Sequence, residues 1–318
     1  MKGLTDIPGI RVGHVSDYEA LTGCTAILCE QGAVGGVDIR GSASGTQEID
    51  TLAPTHASDQ VHAILLAGGS AFGLEAASGV RRYLASRKIG YAFFGQHVPI
   101  VPAAILFDLA IGKPNVHPNS AMGEAAAAAA TTDAVKEGCV GAGTGATLGK
   151  LLGTARAMKG GMGTYTVTLP GGVLVSALVA VNALGDVRDP ATGTPVAGLR
   201  ASAGSRELGD TEREMKRGAL IGDASAPRNT TLAVVATNAR LNKVQANKLA
   251  QFASLGMART IYPVNTMADG DVAFALSLGA LTCDINILGV AAAEALAQAI
   301  LRAVKLARTL GGVPGLAG

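Results

Sequence analysis

The sequence predicts a layered sandwich of sheets and helices, of the α/β or α+β kind. Two observations carry this. Short apolar runs bounded by turn signals, Val61-His62-Ala63-Ile64-Leu65-Leu66 and Thr231-Leu232-Ala233-Val234-Val235-Ala236-Thr237, read as buried strands. Helical periodicity occurs in the first third of the chain and again towards its end, so strands and helices are mixed rather than segregated. A third observation is compositional. Of 318 residues, 48% are hydrophobic, 16% charged and 43 are glycine, enough apolar mass for a core built from close backbone packing and many tight turns.

Along the chain, Gly23-Cys24-Thr25-Ala26-Ile27-Leu28-Cys29 is strand-like and is followed by glycine-rich punctuation around Gly35 to Gly45. The Val61 run ends at Gly68-Gly69. A helix follows, with Leu74, Ala77, Val80, Tyr83 and Leu84 on one face. Pro99 and Pro102 break the apolar segment from Tyr91 to Leu109 into short pieces, and Ala125 to Ala130 reads as a small-faced helix. Thr164 to Leu169, the turn Pro170-Gly171-Gly172 and Val173 to Val181 form a hairpin pattern. Residues 188–228 turn polar and lose periodicity, as an exposed excursion would. After the Thr231 strand come helices expected from Lys243 to about Leu255 and from about Val290 to Leu310.

Charge and composition exclude several function classes. Lys and Arg number 26 against 24 Asp and Glu, with no basic run interleaved with aromatics, so there is no nucleic-acid footprint. The chain starts without an apolar leader and has no uninterrupted apolar stretch long enough for a membrane span. Cys24, Cys29, Cys139 and Cys283 form no CxxC pair, and reduced thiols in a cytoplasmic protein are the expectation. The histidines at 14, 56, 62, 97 and 117 are scattered with no H-x-x-x-H or His/Cys pairing, so a zinc site is not expected.

Familiar motifs fail on inspection. Gly68-Gly69-Ser70-Ala71-Phe72-Gly73 lacks the glycine two residues after serine that a nucleophile elbow requires, leaving a tight strand-to-helix turn or a substrate-lining loop. Gly141-Ala142-Gly143-Thr144-Gly145-Ala146 matches a dinucleotide fingerprint in letters without a preceding strand. Gly149-Lys150 lacks both the first glycine and the Ser/Thr of a phosphate loop.

One junction carries chemistry. The polar loop Asp223-Ala224-Ser225-Ala226-Pro227-Arg228 runs through Asn229 straight into a buried strand whose first residue is Thr230. By itself this is also an ordinary turn and strand start. Its chemical reading is a self-cleaving precursor: Thr230 Oγ attacks the Asn229 carbonyl, an N-to-O acyl shift gives an ester, and water releases Thr230 as a new N-terminus. The freed α-amino group, with an ordinary pKa near 7.7–8.0, then serves as general base to the hydroxyl of its own residue.

Asn229-Thr230-Thr231-Leu232-Ala233-Val234-Val235-Ala236-Thr237 resembles the self-cleavage motif of the P1 family (peptidase family S58), which includes L-aminopeptidase/D-esterases, β-aminopeptidases and nylon-oligomer hydrolases. Other segments resemble family motifs in order: Ile7 to His14, Leu66 to Gly73, Lys159-Gly160-Gly161-Met162-Gly163-Thr164, Val181 to Val187 and Met267-Ala268-Asp269-Gly270-Asp271. The resemblance implies an αββα sandwich of the N-terminal-nucleophile hydrolase type in one domain, 1–318, cut into an α chain (1–229) and a β chain (230–318) that stay associated and form homo-oligomers. It implies Thr230 as nucleophile, Asn229 as donor of the scissile carbonyl and Asn182 as an oxyanion-stabilising side chain. Asp269 and Asp271 would orient the α-amino group, and Lys159 would assist cleavage or polarise the hydroxyl.

A tyrosine that aminopeptidase members carry near Gly143-Thr144-Gly145 has no counterpart among Ala146, Thr147, Leu148 and Gly149, which points, like Thr in place of Ser at 230, towards the nylon-hydrolase branch. The implied activity is hydrolysis of amide bonds in short peptides, β-amino acyl amides or ω-amino acid oligomers, without metal or cofactor. Acyl transfer of the ornithine-acetyltransferase kind and a non-enzymatic small-molecule-binding module are the alternatives.

Overall fold

A computed structural model describes residues 1–220 and 229–318. Nine strands build its main sheet system: β1 (Arg11–Asp17), β2 (Thr22–Ile39), β3 (Gly45–Gln47), β4 (Val61–Ala67), β5 (Ala103–Ile105), β6 (Met162–Leu169), β7 (Val173–Asn182), β8 (Thr230–Ala239) and β9 (Val272–Leu281). The α-helices are α1 (Ala76–Ser86), α2 (Ser120–Ala128), the short α3 (Thr211–Lys216), α4 (Lys243–Thr260) and α5 (Ile285–Lys305).

The eighteen-residue β2 belongs to two sheets. Its first half pairs with β1 and β4, and its second half, beyond a register shift between Leu28 and Ala33, pairs with β9. One sheet therefore holds β1, β2, β4, β5 and β3; the other runs β6, β7, β8, β9 and the end of β2. The β8–β9 pair is parallel, while β6, β7 and β8 run alternately antiparallel.

Strand alternation sorts the apolar residues into three layers. On β8, Leu232, Val234 and Ala236 face the space between the sheets, where they meet Ile27, Ile64, Leu66 and Phe274. The intervening Ala233 and Val235 face α4 and α5. On the other sheet, Ala26, Leu28, Ala63 and Leu65 pack beneath α1 and α2. The order helix, sheet, sheet, helix is the αββα sandwich. Small residues set its spacing: a side chain at Gly36 would come within 2.3 Å of the α4 backbone at Ala246 and Asn247.

The hairpin at Pro170-Gly171-Gly172 and the strands at Val61 and Thr231 stand where the sequence places them. Helix α4 runs on to Thr260 rather than ending near Leu255, the alanine run lies in a helix that spans Ser120–Ala128, and two further elements differ. The last helix starts at Ile285, where Asp284 caps it by accepting from Asn286 N–H (2.8 Å), and stops at Lys305 rather than reaching Leu310. Strand β9 is not anticipated at all, because its alanines dilute the β-branched signal and Asp269-Gly270-Asp271 reads as a turn. Helix α5 is apolar and long enough to cross a bilayer, yet most of it is buried against the sheet of β6–β9. The polar excursion contains an antiparallel pair (Asp186–Arg188 with Pro195–Ala197) and α3; its residues 221–228 lie outside the described residues.

Candidate active site

Thr230 opens β8 and Asn182 closes β7, and the antiparallel register sets them directly opposite each other. Parity puts both side chains on the inter-sheet face, since Leu232 and Ala180 at i±2 lie in that layer. Opposed residues hold their Cβ atoms about 4.5–5.5 Å apart. The two residues thus lie side by side on that face, buried at the shared end of the two strands. Beside Thr230 lies a cavity of about 370 Å³ lined by Ser42 to Gly45, Ser70, Ala71, Ile105 and Phe107.

The peptide before Thr230 is held on both sides. Asn229 N–H donates to the Ala268 carbonyl (3.1 Å), and the Asn229 carbonyl accepts from Gly270 N–H (2.7 Å). The Thr230 hydroxyl donates to that same carbonyl oxygen at 2.5 Å. One carbonyl thus has a backbone donor and its neighbouring hydroxyl on its oxygen, with no water needed between them. Gly270 is required by space: a Cβ there would stand 2.9 Å from Thr230 Oγ.

The acidic pair brackets this strand start. Asp271 accepts from Thr231 N–H (2.5 Å) and Asn265 N–H (3.0 Å). Asp269 accepts from the Thr266 hydroxyl (2.5 Å) and backbone N–H (2.9 Å), and from Leu184 N–H (3.4 Å). Burial raises the pKa of both carboxyls, and the charge of Asp269 adds to the effect on Asp271, which is pushed up to about 7.

Asn182 is immobilised through its whole carboxamide. Its Oδ1 accepts from Thr147 N–H (3.0 Å) and from Lys150 Nζ (2.8 Å), and its Nδ2 donates to the Phe107 carbonyl (3.0 Å). An amide NH₂ carries two N–H groups, and Phe107 takes one. Lys150 Nζ also donates to the Asn182 main-chain carbonyl (3.0 Å). Burial pulls the Lys150 ammonium down to about 7, opposed by the negative charge of Asp269.

Lys159, expected to assist cleavage or polarise the hydroxyl, is held by backbone carbonyls. Its ammonium is fully buried and donates to the carbonyls of Thr144 (2.9 Å) and Ala146 (2.6 Å). The lysine joined to Asn182 is Lys150, which the sequence reading tests only as part of a phosphate loop. A signal for it exists: a lone lysine in the apolar stretch Ala146 to Leu152 cannot stay charged and buried without partners. Asp108 shows the same signal, sitting in Ile105-Leu106-Phe107-Asp108-Leu109. Its carboxylate accepts from Gly69 N–H (2.7 Å) and the Thr22 hydroxyl (2.8 Å), pinning the turn whose Ser70 and Ala71 line the cavity. The strand-to-helix turn and the cavity-lining loop are therefore the same feature. Among the described residues, no three His, Cys, Asp or Glu side chains are grouped to hold a metal ion.

The family model of peptidase family S58 matches residues 2–317. The chain belongs to peptidase family S58. An uncharacterised aminopeptidase of Mycobacterium tuberculosis is 40% identical over 99% of this chain and 96% of its own length. A 6-aminohexanoate-oligomer endohydrolase of Kocuria sp. is 31% identical, covering 94% of this chain and 85% of its own. Among solved structures, a Burkholderia sp. β-aminopeptidase superposes with a TM-score of 0.66 at 25% identity, over 99% of this chain and 90% of that one. The L-aminopeptidase D-Ala-esterase/amidase of Ochrobactrum anthropi, described as a variant of the Ntn-hydrolase fold, superposes with a TM-score of 0.71 at 20% identity, over 98% and 88%. This S58 peptidase is a hydrolase with the Ntn-type αββα fold, and its family relationships support amidohydrolase activity.

Proposed function

We propose that this S58 peptidase cuts itself before Thr230 and then hydrolyses amide bonds through an acyl-enzyme on that residue. The observation that carries this reading is the hydroxyl of Thr230 seated 2.5 Å from the carbonyl oxygen of Asn229, with Gly270 N–H on the same atom at 2.7 Å. In the first stage Oγ adds to the Asn229 carbonyl carbon, its proton passes to the Thr230 nitrogen, and the C–N bond breaks. The Gly270 N–H stabilises the developing oxyanion. Water then cleaves the ester, leaving a carboxylate on Asn229 and an amine on Thr230.

In the second stage that amine accepts the Oγ proton while Oγ attacks a substrate amide. It returns the proton to the departing amine, and water releases the acyl group. Asn182 Nδ2 supplies an N–H to the substrate oxyanion from a carboxamide already fixed by Lys150, Thr147 and Phe107. Asp271 and Asp269, beside the new N-terminus, favour its ammonium when it holds the proton. Association of the two pieces follows from β8, which pairs with β7 from Thr230 to Thr237 and with β9 from Leu232 onward, so the cut bond contributes nothing to the ladder.

The cavity, lined by Ser42 to Gly45, Ser70 and Ala71 together with Ile105 and Phe107, suits short acyl chains such as those of small peptides, β-amino acyl amides and ω-amino acid oligomers; a structural neighbour is a β-aminopeptidase and a relative a 6-aminohexanoate-oligomer endohydrolase. The test is turnover of a β-alanyl amide, a dipeptide and a 6-aminohexanoate oligomer by wild-type protein and by Thr230→Ala. Release of new amines by the wild type alone supports the reading; equal turnover by the variant overturns it.

A further inference from the structure

Lys159 is one of the largest fully buried side chains in the molecule, and its ammonium has no carboxylate within hydrogen-bond reach among the described residues. Its two partners, the carbonyls of Thr144 and Ala146, begin the segment that ends at Lys150. The same segment is tied down at each step. Ala146 O also accepts from Gly160 N–H (2.9 Å), Thr147 pairs with Lys159 and Leu148 with Met158, and Gly149 and Lys150 N–H donate to Gly185 and Leu184. From it Thr147 N–H and Lys150 Nζ reach the one oxygen of the Asn182 carboxamide.

We infer that Lys159 is a positioning residue: by gathering the Thr144 and Ala146 carbonyls it fixes the Thr144–Lys150 turn, and through Thr147 and Lys150 it aims the Asn182 carboxamide at the Thr230 centre. The chemistry favours this. Two carbonyl oxygens turned toward each other repel, and a buried cation between them relieves that repulsion while satisfying both. Without it the turn that carries Thr147 and Lys150 loses two charge-assisted bonds. Lys159 also acts on Lys150 by charge. The charges that act on Lys150 are those of Asp269, Lys159, Asp108 and Asp271, and those that act on Lys159 include those of Cys139 and Asp108. A neighbouring cation disfavours a second one, so Lys159 helps to hold the Lys150 ammonium low, alongside burial.

This rests on Thr230 being the nucleophile, and the test separates the two claims. Wild type, K159M and K159R are compared for the rate of self-cleavage, for kcat and KM on an amide substrate, and for the pH profile of kcat/KM. The predicted result for K159M is a kcat lowered by about 10²-fold, as for a misaligned catalytic group, with KM little changed. The profile limb that Lys150→Met abolishes moves to higher pH, while K159R keeps the limb in place. A role in folding alone would lower the melting temperature without moving that limb, and unchanged kcat and limb in folded K159M would overturn the inference. Should K159M not accumulate as folded protein, K159Q, which keeps an N–H donor without the charge, carries the same test. An uncut, inactive wild type would instead contradict the nucleophile assignment and leave the inference about Lys159 without its premise.

Discussion

Asn182 and Thr230 are register partners at the same end of two antiparallel strands, and each is tied by its neighbours to a different part of the site. Thr230 is anchored through the segment from Ala268 to Asp271, and Asn182 through the turn that carries Thr147 and Lys150. The sheet fixes the distance between the two residues proposed as nucleophile and oxyanion donor, and the two loops fix their orientation.

Asn182→Ala removes the donor and leaves Lys150 Nζ and Thr147 N–H without their shared acceptor. The expected effect is a kcat lowered by about 10²–10³-fold. Self-cleavage should be less affected, because Gly270 N–H serves the Asn229 carbonyl. Steady-state kinetics and the fraction of cut chain, measured on one preparation, check this.

Gly270→Ala should do the reverse. Its Cβ would press on Thr230 Oγ, with Ala43 O at 2.7 Å on another side, so the hydroxyl or the strand must shift. Slower self-cleavage with retained secondary structure is predicted, measured as the uncut fraction against time after purification.

Lys150→Met separates the two lysines. It deletes the bonds to Asn182 Oδ1 and to the Asn182 carbonyl, so kcat should fall by about 10²-fold. Thermal stability should change less than the loss of two bonds implies, because removing an ammonium also removes its burial cost. Parallel melts and kinetics decide it; unchanged kcat would remove Lys150 from the site.

Asp271→Asn gives a prediction in pH, best measured in the uncut Thr230→Ala background. Burial, and then the charge of Asp269, push the native carboxyl up from the ordinary 3.8 to about 7, so the folded state binds the proton more tightly than the unfolded chain does. That contribution to stability is fully present below the unfolded value and is lost as pH rises to about 7. Asparagine does not titrate. The variant should therefore gain in melting temperature relative to its parent between pH 4 and 7, and a difference independent of pH would refute the raised pKa.

Much of this was legible in the sequence. Continuous apolar runs announced β4 and β8 because strands buried on both faces need no polar alternation, and Pro170-Gly171-Gly172 marked its hairpin by turn chemistry. Thr230 was legible because a hydroxyl residue at a loop-to-core boundary, after Asn, is chemically conspicuous. Lys150 and Asp108 were not singled out, since their meaning lies in partners 32 and 39 residues or more away in sequence. Asn182 had a strand-end address but no visible partner until β7 and β8 were in register. Strand β9 was hidden by its alanines, whose preference is for helix.

The central claim is the covalent fate of the bond before Thr230, and the most direct measurement is the intact mass of freshly purified, denatured wild-type protein with N-terminal sequencing of the smaller fragment. The account predicts two chains, of 229 and 89 residues, the shorter beginning Thr230-Thr231-Leu232-Ala233. A single 31.7 kDa chain that persists through prolonged incubation would contradict it.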